Sequence, residues 1–212
     1  MRRVLLPALL SLSLSGCGMV GYSLTASFAN SGQPTAKAPR GQTPGSTEQK
    51  PKVAANIDDR APKGSFEKAP TGALSARDYT TTRLDAERAR DLVNAYRREK
   101  GLRALRLQPA LTEAARTHSR DLAKWDRISH FGSDGSNPWD RVKRAGYNAT
   151  LAAENVGTGQ VTIEEVIKGW QASPGHNKNL LLPEAEHMGI ALAQDSKTEF
   201  KTFWTLVIAS PL

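Results

Sequence analysis

The hydrophobic and polar positions divide this chain into an N-terminal part without periodicity and a C-terminal part with clear elements. The first predicted helix is capped at Thr81 or Thr82, carries apolar residues on one face and ends at Gly101. A second helix is predicted from Pro109 to Asp126. Its inward-facing positions are Leu111, Ala114, Ala115, His118, Leu122 and Trp125.

Two later helix starts carry a capping signal. Asn137 precedes Pro138, which is the pattern of an N-cap followed by proline at the first helical position, and this third helix ends at Gly146. Thr162 with Glu165 resembles a capping box and opens a fourth helix. A short helical turn is then expected at 176–181.

The C-terminal part of the chain predicts strands. Apolar runs at 151–156, 188–193 and 200–208 have the length of strands, and Asp195-Ser196-Lys197 is typical of a hairpin turn. Because helices come first and antiparallel strands come last, the order indicates an α+β layered domain rather than a doubly wound parallel sheet.

Residues 17–78 predict no packed structure. They are rich in Pro, Gly, Ser, Thr, Ala and Lys, and large apolar residues are sparse and without periodicity. Such a segment buries too little surface to offset its conformational entropy. We therefore interpret it as a flexible tether in front of a folded domain at 79–212.

The first residues resemble a bacterial lipoprotein signal. Basic residues precede an apolar stretch at 4–14 that is too short to span a bilayer comfortably, and it ends in a lipobox-like sequence, Leu14-Ser15-Gly16-Cys17. The resemblance implies that residues 1–16 are removed and that lipidated Cys17 anchors the chain to a membrane of the cell envelope. Gly18 favours the outer membrane, facing the periplasm, in a Gram-negative host. The alternative is an ordinary secretory signal with a chance cysteine.

Composition narrows the function classes. The formal charge is +8, from 29 Lys+Arg against 21 Asp+Glu, but the basic residues are scattered, which is typical of a solvated surface. No aromatic and basic motif of a nucleic-acid-binding module occurs, so we expect no nucleic-acid partner. The single cysteine excludes an internal disulfide.

Three separate motifs contain side chains suited to a polar site. They are His130 in ISHFG, Glu154 in AENVG and His176 in SPGHNKN. Imidazoles and carboxylates bind borderline divalent metals and move protons near neutral pH. A glycine close to each allows the backbone to turn and expose the side chain.

The motifs in this order resemble the CAP superfamily (cysteine-rich secretory proteins, antigen 5, pathogenesis-related 1), also called the SCP domain, in its bacterial branch. They are AARTHS at 114–119, SH at 129–130, AENV at 153–156, WQASPGH at 170–176 and MGIA at 188–191, followed by a terminal strand with Trp204. The resemblance covers about 84–208. It implies a three-layer α-β-α sandwich around an antiparallel sheet.

The resemblance also implies a cleft with two histidines and two acids. By motif position, His130 and His176 are the histidine pair and Glu154 is one acid. The position of the second acid is Ser173 here, which puts a proton-shuttling role of the full tetrad in doubt. Asn155 is expected to bond the backbone of a turn.

Two arrangements of this cleft stay open. In one, His130 and His176 bind zinc or another divalent cation, with Glu154 as a third ligand or orienting an imidazole. In the other, no metal is bound, and Glu154 accepts hydrogen bonds from the imidazoles and fixes the loops. His118 lies on the apolar face of its helix and is expected to be packed and satisfied.

These features favour a non-enzymatic, membrane-anchored envelope module that binds a lipid, a peptide or a cell-wall component in its cleft. The first alternative is a metal-dependent hydrolase, peptidase-like, that uses His130, His176 and Glu154. The second is a purely structural lipoprotein. A domain architecture does not identify an activity by itself.

Overall fold

The computed structural model describes residues 22–29 and 66–212. In these ranges the helices are α1 (Ala86–Glu99), α2 (Pro109–Trp125), α3 (Pro138–Arg144), α4 (Ile163–Ala172) and α5 (Pro174–Leu180). The strands are β1 (Tyr22–Ala29), β2 (Phe66–Glu67), β3 (Arg106–Leu107), β4 (Ile128–Ser129), β5 (Ala149–Thr158), β6 (His187–Gln194) and β7 (Thr202–Pro211). None of the helices in these ranges is long and apolar enough to cross a bilayer.

Five of the strands form one sheet in the order β1-β5-β7-β6-β3. Its neighbours are antiparallel except for β3, which is parallel to β6. The sheet is therefore mixed, where a purely antiparallel one was expected. Gln108 precedes a proline and is extended, so the chain before α2 lies along β6, and its amide donates to the Met188 carbonyl at 2.9 Å.

Helices cover both faces of the sheet and confirm the predicted three-layer α+β fold. On one face α1, α4 and α5 pack against apolar residues of β6 and β7, with Trp170 and Leu206 fully buried. On the other face α2 and α3 pack against β5, β6 and β7, with Leu111 and Val207 in the core. The predicted helix positions are confirmed, although α1 begins after Asp85, whose side chain accepts a hydrogen bond from the Arg88 amide.

The segment predicted as a tether contains regular structure at both ends. Strand β1 pairs antiparallel with β5 along its whole length, from Tyr22 opposite Thr158 to Ala29 opposite Leu151. Strand β2 pairs with β4, and Leu74 is buried in the core. The folded region therefore begins no later than Phe66, earlier than the predicted boundary at residue 79. Cys17, the signal segment 1–16 and most of the predicted tether lie outside the described residues.

Candidate functional site

Glu154 is the centre of a buried polar cluster on β5. Side chains alternate between the two faces of a strand, and the neighbours Ala152 and Val156 pack with α2. Glu154 therefore points into the α2–α3 layer, where its side chain is fully buried. A buried carboxylate is costly without a compensating charge and hydrogen bonds, so its partners define what the site does.

Both carboxylate oxygens are bound by protein groups. Oε1 accepts a hydrogen bond from Nδ1 of His130 at 2.8 Å, and Oε2 accepts one from Nη2 of Arg141 at 2.7 Å. Nε2 of His118 lies 3.5 Å from Oε1 and donates instead to the Ser129 carbonyl at 2.8 Å. Three elements, α2, α3 and the loop after β4, thus meet at one carboxylate.

Arg141 also fixes the loop that carries His130. Its Nη1 donates to the Ser136 carbonyl at 2.7 Å, and its Nη2 donates to the His130 carbonyl at 3.1 Å. From α2, Asp121 accepts a hydrogen bond from the Ser133 amide at 2.7 Å. The position of the His130 ring is therefore set by several bonds to its own loop as well as by Glu154.

The surroundings of Glu154 and His118 set the protonation of these two side chains. Burial alone would raise the pKa of Glu154, but the charge of Arg141 and the contacts with both imidazoles outweigh it and hold that pKa well below its usual range. Burial, assisted by the charge of Arg141, lowers the pKa of His118 to about 4. At neutral pH the cluster therefore contains an ionised Glu154 and a neutral His118.

A second polar cluster lies against the opposite face of β5. Asn155 donates from Nδ2 to the His176 carbonyl at 3.1 Å, and its Oδ1 accepts from Nδ2 of Asn179 at 2.9 Å. The same Asn179 amide donates to the Glu154 carbonyl at 3.1 Å. Oγ of Ser173 bonds Nδ1 of His176 at 2.7 Å. These contacts attach α5 to β5.

The structure thus divides the predicted site residues into two groups. His130 and Glu154 are in contact in the α2–α3 layer, whereas Asn155, Ser173 and His176 belong to the layer that contains α4 and α5. Within the described part of the chain, the Glu154 carboxylate contacts His118, His130 and Arg141 and does not contact His176. Of the two predicted imidazoles only that of His130 therefore contacts the carboxylate, and a cleft shared with His176 stays a prediction.

The separation of the predicted residues into two groups bears on whether they could bind one zinc ion together. A catalytic zinc site of the expected kind needs three protein ligands that converge on one point. Among the described residues, no group of three or more His, Cys, Asp or Glu side chains is arranged to hold a metal ion. The oxygens of Glu154 are already bound by Arg141 and His130. His130, His176 and Glu154 as three ligands of one ion therefore do not fit. The bond from Nδ1 of His130 to Glu154 is of the kind that orients an imidazole, and metal binding by His130 and His176 without Glu154 stays a prediction.

Arg141 at the site, and an unsatisfied nitrogen on His118, were not predicted from the sequence. His118 is packed as expected, but its buried Nδ1 has no hydrogen-bond partner among the described residues, so it is not fully satisfied. A signal for Arg141 was available: a glutamate inside the apolar run at 151–156 requires a buried cation, and Arg141 follows the helix start at Asn137 by one turn.

A small cavity adjoins the cluster on the side of α2. Its volume is about 160 Å³, and its lining includes Thr117, His118, Asp121, Ser133, Asp134 and Arg144. Pockets for small organic ligands usually measure about 300–1,000 Å³. The cavity therefore has room for a small polar group and is too small for a lipid or a peptide.

Comparison with known proteins identifies the family. The cysteine-rich secretory protein family (CAP) matches residues 90–208, which is more than half of the chain. The chain belongs to the CAP family. Its CAP domain includes every element from the middle of α1 to the end of β7 apart from the last residues.

Two proteins of Bacillus subtilis are similar in sequence to part of the chain. The chain is 34% identical over 115 residues to the uncharacterized protein YkwD of Bacillus subtilis, a match that spans 54% of this chain and 43% of the relative. It is 28% identical over 109 residues to the uncharacterized membrane protein YlbC of the same organism, spanning 51% of this chain and 32% of the relative. The chain therefore matches less than half the length of either relative.

Two solved structures share the fold. An extracellular SCP-domain protein from Bacillus anthracis superposes with a TM-score of 0.52 at 25% identity, covering 58% of this chain and 39% of that protein. An outer surface protein of Borrelia burgdorferi superposes with a TM-score of 0.55 at 17% identity, covering 59% of this chain and 92% of that protein. The second likeness shows the fold alone.

Proposed function

We propose that this chain is an envelope lipoprotein whose CAP domain binds a partner and catalyses no reaction. The absence of a reaction is inferred from Glu154, whose buried carboxylate has both oxygens hydrogen-bonded to protein groups. A general base needs a pKa near the working pH and an oxygen directed at the substrate. Glu154 has a strongly lowered pKa, and both its oxygens are held by Arg141 and His130.

The other polar groups do not favour catalysis either. The position of the second family acid is Ser173, whose hydroxyl contacts His176 three residues later, in the first turn of α5. Residues three apart on a helix are neighbours in any case, so this contact by itself does not identify a nucleophile. The arrangement supports a role for the two clusters in holding loops and α5 against β5.

Titration of zinc into the purified protein tests the proposal that the domain is not a metal-dependent hydrolase. We expect that neither the wild type nor the double variant His130→Ala/His176→Ala takes up one equivalent of zinc at micromolar concentration, because Glu154 is bound elsewhere. The measurement is isothermal titration after purification without a chelator. Uptake of one equivalent by the wild type that is lost in the double variant would favour the metal-dependent hydrolase instead.

Anchoring through Cys17 is the second part of the proposal. Relatives that are described as extracellular, outer-surface and membrane proteins support an envelope location. Several buried acyl chains anchor a protein stably, since each buried methylene contributes about 0.8 kcal/mol. We expect Cys17→Ala to move the protein from the membrane to the soluble fraction.

Cell fractionation with immunoblotting measures this change. Ser15→Ala is the matched control, because it alters the lipobox-like sequence without removing the cysteine, and it is expected to stay on the membrane. Mass spectrometry of the mature N-terminus checks the lipid itself. A Cys17→Ala protein that remains membrane-bound would contradict the lipoprotein assignment.

A further inference from the structure

The N-terminal strand β1 lies outside the part of the chain that matches the CAP family, yet it completes the sheet beside the site. The family match covers residues 90–208, whereas β1 covers Tyr22–Ala29. The residues of β1 alternate apolar and polar, YSLTASFA, which is the pattern of a strand with one face buried.

The register of the β1–β5 pair places β1 beside Glu154 and Asn155, the β5 residues of the two polar clusters. Ala26 lies opposite Glu154, and Thr25 lies opposite Asn155. β1 also contacts α5, β4 and α3, which are the elements around His176, His130 and Arg141. It occupies the edge of β5 at the point where the two polar clusters approach each other from the two layers.

Without β1, this edge of β5 would present unpaired backbone groups between two helical layers. An exposed strand edge of this kind is a template for an extended polypeptide, which adds to the sheet through main-chain hydrogen bonds. We propose that the edge of β5 is a binding groove for an extended peptide strand, and that Tyr22–Ala29 occupies it within the same chain. The inference deepens the proposed function by naming the class of ligand, and only its membrane step depends on anchoring through Cys17.

The chain between β1 and the proposed anchor at Cys17 is short, so pairing of β1 in the groove would also hold the domain near the membrane. Tyr22 follows Cys17 by five positions, and an extended chain spans at most about 3.6 Å per residue, so the two residues lie within about 18 Å of each other. When β1 is paired, the Thr158 end of β5 is held close to the bilayer. When another peptide replaces β1, the short connection from Cys17 no longer holds this end of β5 near the bilayer, and the groove is engaged by the partner.

A peptide competition in the full chain tests the groove. The protein carries Cys17→Ala so that it is soluble, and the probe is a fluorescein-labelled peptide with the sequence of residues 21–30. The variant Thr25→Pro/Ala26→Pro removes an inward-facing donor from β1, because inward and outward amides alternate along a strand. The matched control is Ala36→Pro/Lys37→Pro, outside the strand.

We expect the Thr25→Pro/Ala26→Pro protein to bind the probe at least about tenfold more tightly than the control protein, since a strand attached to the same chain competes at high effective concentration. A probe that carries the same two prolines should not bind. A folded Thr25→Pro/Ala26→Pro protein that binds the probe no more tightly than the control protein overturns the proposal.

Hydrogen exchange gives a second measurement that needs no strand variant. If β1 fills the groove, all backbone amides of 151–158 exchange slowly in NMR spectra of the Cys17→Ala protein. Fast exchange at every second amide shows an open edge and overturns occupancy by β1 even if the proline variant fails to fold. Neither measurement involves the lipid, so a failure of Cys17 anchoring is a separate result.

Discussion

Replacing Arg141 with methionine is expected to lower the free energy of unfolding by about 3–5 kcal/mol, because breaking a buried ion pair leaves an uncompensated charge. The side chain of Arg141 is 3% exposed and that of Glu154 is 0% exposed, so water does not screen the remaining carboxylate. The same substitution removes the two hydrogen bonds from Arg141 to the Ser136 and His130 carbonyls. Urea unfolding measures the loss.

An exposed ion pair between the last residue of α3 and the preceding loop is the matched control for this change. Arg144 bonds Asp134 at 2.7 Å, but their side chains are 59% and 48% exposed. Exposed pairs contribute about 0–1 kcal/mol, so Arg144→Met should have little effect. Adding Glu154→Gln to Arg141→Met should recover part of the loss by removing the unpaired charge. Equal effects of Arg141→Met and Arg144→Met would contradict the role assigned to the buried pair.

Replacing Gly189 with alanine is expected to cost about 3 kcal/mol or more, beyond the common range for overpacking, because the obstacle is backbone. A Cβ atom at this position of β6 would lie 2.1 Å from the Thr112 amide nitrogen and 2.2 Å from the Leu111 carbonyl carbon. These atoms belong to the first turn of α2, which packs directly on the sheet. The substitution therefore forces α2 away from β6 and loosens the layer that holds His118.

Replacement of Gly169 in α4 with alanine is the matched control, and we expect it to have the opposite effect on stability. Apart from the neighbouring residues and the backbone of α4 itself, no atom lies within 4 Å of a Cβ built at Gly169. Alanine in a helix interior is favoured over glycine by about 0.5–1 kcal/mol, so Gly169→Ala should stabilise the protein slightly. Thermal and urea unfolding of both variants distinguish a local steric conflict from a general effect of glycine replacement. A Gly189→Ala protein as stable as the wild type would show that α2 and β6 do not approach this closely.

In the proposed function, the buried cluster around Glu154 has a structural role. Arg141 and the two histidines hold the loop at 130–136 and the middle of α2 near Glu154, and the second cluster positions α5. The binding groove proposed at the edge of β5 lies between them. A rigid frame of this kind would hold the two sides of the groove at a constant separation, which favours recognition of a peptide in one extended conformation.

Local patterning was sufficient for most elements but not for every boundary. The helix starts at Asn137 and Thr162 were predicted from capping residues and are formed in the structure. The start of α1 was predicted too early, because Thr81 and Thr82 compete with Asp85 and only the structure shows which side chain caps the helix. The strand at 22–29 was missed, although its alternation of apolar and polar residues is present in the sequence.

The sequence by itself determined the order of the helices and of the three long C-terminal strands, the family, and Glu154 and His130 as two of the polar residues at the site. Only the tertiary structure decided which of these residues meet. Glu154 and Asn155 are consecutive in a strand, so their side chains enter opposite layers, and the histidine that each layer supplies depends on how helices distant in the chain pack. In the same way, the pattern at 22–29 indicates a strand, but its partner β5 lies more than a hundred residues away, and long-range pairing is set by the assembled sheet rather than by any local signal.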